Sequence, residues 1–169
     1  MKIVLEIKNT SGSIENIRLL QDERGVDIAF VQGGVGNEID IDGSESLPSL
    51  FYEPLWIFYR GEETISRLEG LNGKTIAVGP EGSGTRALAH LLLSDNGLLT
   101  SGERLSSISG KAAKEALQNR HIDAAFFVTS SESILVKELC MTPGIKLMSL
   151  DRVDAYIHKY PFYVENRLA

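Results

Sequence analysis

Cysteine is nearly absent from this chain. Cys140 is the only one among 169 residues, so no intrachain disulfide can form and the redox compartment is not encoded in thiols. Its apolar helical setting predicts a packed thiol, not a reactive one. Long apolar runs are missing as well: none approaches the ~20 residues that cross a bilayer, and the N-terminus has neither the apolar core nor the cleavage site of a signal peptide. The chain as it stands reads as soluble. A strand pattern begins at its second residue, so it is expected to be either natively short or trimmed. Clustered basic residues are also lacking. With 17 Lys and Arg against 23 Asp and Glu, the net charge is −6, which argues against a surface that displaces counterions from nucleic-acid phosphates. The three histidines, His90, His121 and His158, show no His-Glu-x-x-His spacing and have no paired cysteines beside them, so no metal site is expected.

What is present is a hydrophobic content of 43%, enough for a real core, and a steady alternation of strand and helix patterns. Residues 2–8 (KIVLEIK) read as a mainly apolar strand. Thr10 to Ser13 are small capping residues, followed by a helix with Ile14, Ile17 and Leu20 on its buried stripe. Gly25 is placed to end that helix in a left-handed conformation. Residues 26–32 (VDIAFVQ) complete a β-α-β pattern, whose crossover is expected to be right-handed. A Gly-rich acidic loop then runs from Gly33 to Gly43. Residues 47–51 and 54–60 (PLWIFYR) read as two short strands, and residues 61–73 as a short helix or linker. The pattern then repeats. A strand over 74–78 leads through Gly79-Pro80-Glu81-Gly82-Ser83-Gly84-Thr85-Arg86 into a helix over 85–94 that Asn96-Gly97 stops. A helix over 111–120 and a strand over 122–128 follow. Thr129 and Glu132 have capping-box spacing, which predicts a helix from there to Pro143-Gly144. A last strand over 145–150 precedes a helix capped by Asp151 that ends before Pro161. The class is α/β with mostly parallel sheets.

The glycine loop carries most of the functional signal. A helix N-terminus leaves about four backbone N–H groups without intrahelical acceptors, and its dipole favours negative charge. Glycines allow close backbone approach, and Ser83, Thr85 and Arg86 add side-chain donors. Nucleotide-hydrolase chemistry does not fit, because Thr85 stands where the P-loop lysine would be. A dinucleotide fingerprint matches loosely from Gly82 to Ala87, with Glu103 at a suitable distance, but no second mononucleotide-binding half follows. A nucleophile elbow fails because Glu81 replaces its first glycine. Arg86 in a first helical turn opposes the dipole, which predicts a bound anion or a carboxylate such as Glu81 as its partner. In open α/β sheets ligands sit beyond the carboxyl ends of the strands. Three such loops are small and polar: Thr10-Ser11-Gly12-Ser13, Gly82 to Arg86, and Thr129-Ser130-Ser131. Two facing helix N-termini would then share one anionic ligand, with Gln32 as a neutral donor and Tyr52 as an aromatic wall. As plain structure, the same serines and threonines are helix caps, and Tyr52 and Trp56 are packing residues.

The segments TSGSIENIRLLQDERGVDIAFVQGG, FYEPLWIFYR, LNGKTIAVGPEGSGTRALAHLLLSDNGL, HIDAAFF and YIHKYPFY together resemble the TAXI family of TRAP-transporter solute-binding proteins, within the periplasmic-binding-protein superfamily. The resemblance covers nearly the whole chain. It implies a two-lobed, type II periplasmic-binding-protein-like fold with mostly parallel sheets and one lobe incomplete. Residues 1–60 would form a partial first lobe, 61–73 a crossover, 74–150 the second lobe, and 151–169 a return helix and tail toward the first. It further implies a periplasmic receptor without catalysis or cofactor, which captures a small anionic or zwitterionic solute (glutamate-like or dicarboxylate) for a TRAP permease. Residue by residue it points to Ser11, Ser13, Gln32, Tyr52, Ser83, Thr85 and Arg86; the loops add Thr10, Gly12, Gly84 and Thr129. The alternative is a ligand-sensing effector domain of a regulator or signalling receptor with the same fold.

Overall fold

A computed structural model describes residues 4–22, 25–35, 43–100 and 104–165. Its centre is strand β1, Leu55–Arg60, whose four inner residues Trp56, Ile57, Phe58 and Tyr59 are all buried. Such a strand, apolar at both parities, belongs inside a sheet covered on both faces. β1 indeed lies between β4 (Ala124–Val128) and β5 (Ile145–Leu147), antiparallel to both. β2 (Thr75–Ala77) runs parallel to β4 and to the short edge strand β3 (Arg104–Ser106), giving the order β3-β2-β4-β1-β5. The expectation of a mostly parallel sheet is therefore corrected to a mixed one, with two parallel and two antiparallel ladders. β1, assigned by sequence to residues 1–60, is an inner strand of the sheet built by the later elements.

The period-2 geometry of strands sorts the core into two layers. Ile57, Tyr59, Ile76, Val78, Ala124 and Phe126 face one side, where α2 (Gly84–Asp95) covers them with Ala89, Leu92 and Leu93, together with Leu68, Leu71 and Leu98. Trp56, Phe58, Ala77, Ala125 and Phe127 face the other side, under Ala113 and Leu117 of α3 (Gly110–Gln118) and Val136 and Leu139 of α4 (Ile134–Met141). Arg60, at the end of β1, donates through Nε and Nη2 to the carbonyls of Leu117 and Gln118 and so satisfies the C-terminus of α3. α5 (Val153–Lys159) returns beside α2: Lys159 and the Tyr160 hydroxyl both donate to the Asp95 carboxylate.

The N-terminal third departs from expectation. α1 (Ser13–Gln21) forms, and Ile14 and Ile17 pack with Val35 and Ala87 in a small separate cluster. None of the strands expected over 2–8, 26–32 and 47–51 forms among the described residues. Val4, Leu5, Ile7, Ile28, Phe30, Leu47, Leu50 and Phe51 are 67–84% exposed. The physical reason is that a strand needs a neighbour for its N–H and C=O groups; apolar alternation specifies a face and supplies no partner. The expected β-α-β crossover is thus absent among these residues. Residues 2–3, most of the acidic loop (36–42), and Glu103 lie outside the described set.

Smaller corrections follow from local geometry. α1 ends at Asp22, whose N–H reaches the Arg18 carbonyl, and Gly25 is not left-handed. α4 starts at Ile134 with Ser133 at its N-cap, so Thr129 and Glu132 do not form a capping box. Instead Ser130 turns the chain by accepting from the Glu132 N–H. Asp151 accepts from the Ser66 hydroxyl and does not cap α5. Cys140 is exposed, because α4 turns Val136 and Leu139 inward and leaves Cys140 outside. No helix among the described residues is long and apolar enough to cross a membrane.

Candidate functional site

The glycine loop leaves β2 at the carboxyl end of the strand, as the topology requires. The Val78 N–H still pairs with the Ser106 carbonyl, after which Gly79, at φ +92°, turns the chain. A side chain at Gly79 would stand 3.0 Å from the Ser83 hydroxyl. Ser83 is the N-cap of α2: its Oγ accepts from the Arg86 N–H at 3.2 Å and donates to the Pro80 carbonyl at 2.8 Å. Its hydroxyl is thus committed to the fold. The backbone N–H groups of Gly84 and Thr85 have no acceptor among the described residues. They are the two donors that the α2 N-terminus offers.

Arg86 Nη1 donates to the Gly79 carbonyl and the Ser107 hydroxyl, each at 3.2 Å. Both acceptors are neutral, and none of the ion pairs among the described residues involves Arg86. The expected pairing with Glu81 does not occur, and the positive charge stands uncompensated next to a helix dipole of the same sign. One turn on, His90 is held below its ordinary pKa, first by burial and then by the Arg86 charge. Its Nε2 is buried without a hydrogen-bond partner.

Against this loop lies α1, placed by direct backbone contact. The Ile14 N–H donates to the Gly82 carbonyl at 3.2 Å. Gly12, at φ +137°, comes so close that an added Cβ would be 3.1 Å from Ser83 Cα. The α1 N-terminus is also satisfied from within, since Glu15 accepts from both the N–H and the hydroxyl of Ser11. These bonds lower the Glu15 pKa, with the Ser11 hydroxyl as the larger cause. Thr10 donates to Asn16 Oδ1 and accepts from the Gly12 N–H. Two helix ends therefore meet, but α1 spends a donor on the loop's own carbonyl and leaves α2 as the open one.

Ser13, buried, accepts from the Gln32 N–H at 3.0 Å. The Gln32 carboxamide lies over Gly84, with Nε2 donating to Glu53 Oε2 at 2.9 Å and Oε1 buried without a partner. Residues 33–34 are backed by Phe162: a Cβ on Gly34, at φ +88°, would fall 2.2 Å from its ring. The structure thus brings Thr10, Ser11, Gly12, Ser13, Gln32, Ser83, Gly84, Thr85 and Arg86 into one junction. Tyr52 is 76% exposed and forms no wall. Thr129 lies at the end of β4, where its N–H donates to the Pro54 carbonyl and its own carbonyl accepts from Trp56 Nε1. Sequence reasoning missed Glu53, whose role needs the distant Gln32. It also missed the Phe162 contact, although the aromatic run at Tyr160, Phe162 and Tyr163 was visible. No group of His, Cys, Asp and Glu suited to a metal occurs among the described residues.

The glycine loop thus lies beyond the carboxyl end of β2, where open α/β sheets place their ligands. The chain belongs to the NMT1-like family, whose model matches residues 1–166. Solved structures similar to it include the periplasmic aliphatic sulphonate binding protein SsuA from Escherichia coli, 18% identical, covering 63% of this chain and 40% of that one, with a TM-score of 0.46. An ancestral arginine-binding protein bound to arginine is 22% identical, covering 58% of this chain and 41% of that one, TM-score 0.45. A sulfonate-binding SsuA from Methylobacillus flagellatus KT is 18% identical, covering 57% and 27%, TM-score 0.47. The chain therefore spans between about a quarter and two fifths of the length of these proteins.

Proposed function

We propose that this chain is the solute-recognising part of a periplasmic solute-binding receptor, which takes a small organic anion or amino acid at the α2 N-terminus and delivers it to a membrane permease of the TRAP type. The observation that carries the reading is the pair of acceptor-free N–H groups at Gly84 and Thr85 beside the carboxylate-free charge of Arg86. Backbone donors, helix dipole and guanidinium all favour one oxyanion, and none needs a reacting group. The resemblance of the sequence to TAXI receptors supports the transport role. The α1 N-terminus with Gln32 and the α2 N-terminus would act as the two walls of the site, so a bound solute would favour the arrangement that lets it touch both.

The test is thermal unfolding of the protein with L-glutamate, succinate, ethanesulfonate and inorganic phosphate in turn. Binding to the native state must raise Tm, by an amount that grows with concentration. The Arg86→Gln variant should lose most of that rise. An Arg86→Gln protein that responds as the wild type does would remove the site from the α2 N-terminus.

A further inference from the structure

The oddest contact at the junction is the one between Gln32 and Gly84. An ideal Cβ at position 84 would lie 1.5 Å from Gln32 Oε1 and 2.6 Å from its Cδ, so the carboxamide fills the space that any other residue would need. Its oxygen carries partial negative charge and is fully enclosed, yet no donor reaches it. The carboxamide lies on Gly84, yet neither the Gly84 nor the Thr85 N–H bonds to its oxygen. What holds the carboxamide there is outside the junction: Glu53 Oε2 accepts from Nε2 at 2.9 Å, and Ser13 Oγ fixes the Gln32 backbone at 3.0 Å. Gly12 meanwhile packs against Ser83, where an added Cβ would lie 3.1 Å from Ser83 Cα, so the α1 N-terminus borders the glycine loop beside the carboxamide.

We propose that the Gln32 side chain is a built-in occupant of the α2 N-terminus, held in place by Glu53, and that an incoming solute binds by displacing it. The proposal rests on the solute-binding reading above and supplies its regulation. An amide oxygen is a weak mimic of an oxyanion. It blocks the site against water and weak ligands, but it leaves the two backbone donors unsatisfied, so a carboxylate or sulfonate that satisfies them has an advantage over it. Displacement needs no backbone change, because the obstructing atoms are the far end of a flexible side chain. Gly84 is required because only the absence of a Cβ lets the carboxamide in. Glu53, at the exposed end of the contact, sets how firmly the occupant is held.

Isothermal titration of the full chain and of its Gln32→Ala, Glu53→Ala and double variants with L-glutamate, succinate, ethanesulfonate and inorganic phosphate tests this. If the site is occupied by its own side chain about nine-tenths of the time, freeing it tightens the apparent Kd roughly tenfold. Each single variant is expected to tighten binding, and the double variant to bind no tighter than Gln32→Ala, since both changes release one occupant. A wild type that shows no heat beside a Gln32→Ala protein that binds would be the strongest support. If the wild type binds and either variant binds equally or more weakly, Gln32 or Glu53 is a solute contact and the proposal is overturned, while the solute-binding reading stands. If none of the four proteins binds any of these probes, that reading fails and takes the proposal with it. Glu53→Ala changes only an exposed side chain, so its result stands even if Gln32→Ala unfolds.

Discussion

Replacing Ser83 with alanine separates a capping hydroxyl from a ligand-binding one. The wild-type Oγ makes two bonds, from the Arg86 N–H at 3.2 Å and to the Pro80 carbonyl at 2.8 Å. Loss of a serine N-cap costs about 0.5–2 kcal/mol, typically ~1. The Pro80 carbonyl keeps the Ser83 N–H at 3.2 Å, so its desolvation adds little and the expected loss is about 1–1.5 kcal/mol. For a chain of this size each kcal/mol shifts Tm by roughly 2–4 °C, so Ser83→Ala should lower Tm by about 2–6 °C. Urea titration without solute should show the same loss in midpoint with the slope unchanged. Ser83→Thr, which keeps the hydroxyl, should recover most of it. A Ser83→Ala protein with wild-type stability and abolished solute binding would refute the reasoning, because the hydroxyl would then be a ligand donor and no cap.

Other perturbations follow from the same geometry. Arg60→Met removes three bonds from a charged donor to the Leu117 and Gln118 carbonyls, with an expected cost of about 2–3 kcal/mol by urea titration; a loss under ~0.5 kcal/mol would mean that water replaces the guanidinium. Leu117→Ala, at a fully buried position between α3 and the sheet, should cost about 2–5 kcal/mol, and an unchanged midpoint would contradict the packing. Gly34→Ala must move either the left-handed backbone or the Phe162 ring, so limited proteolysis is expected to cut residues 160–164 faster than in the wild type. His90 has a folded-state pKa below its unfolded one. Its contribution is therefore complete above the unfolded value and is lost as pH falls through the folded one, so Tm should drop as pH falls below the unfolded value of about 6.5. His90→Gln should flatten that part of the profile, and an unaltered slope would assign it to the carboxylates.

From Leu55 onward the elements were largely legible in the sequence, with the short edge strand β3 as the exception, and from Thr10 to Gln32 only α1 was. The difference is physical. PLWIFYR and HIDAAFFV carry apolar residues at both parities, which only an inner strand covered on two faces can bury, and the helices after them show stripes matching those faces. Periodicity in KIVLEIK and VDIAFVQ is of similar quality, but it states which face wants burial, and the neighbour that would bury it is not written in the segment itself. β3 is no shorter than β2 or β5, but Arg104, Leu105 and Ser106 offer a single apolar side chain, so no apolar pattern marks it. Only the tertiary structure could make the sheet mixed, because strand direction depends on how the chain returns. The site divides in the same way. Sequence alone determined that Gly79 to Arg86 would join a strand to a helix, since the glycines and the capping serine act locally. Tertiary structure decided that α1 would meet this loop through its backbone, that Arg86 would bond to neutral acceptors, and that Gln32 and Glu53, 21 residues apart, would close over Gly84. Those are long-range contacts, fixed by packing and by what each polar group finds within reach, which no spacing of residues along the chain specifies.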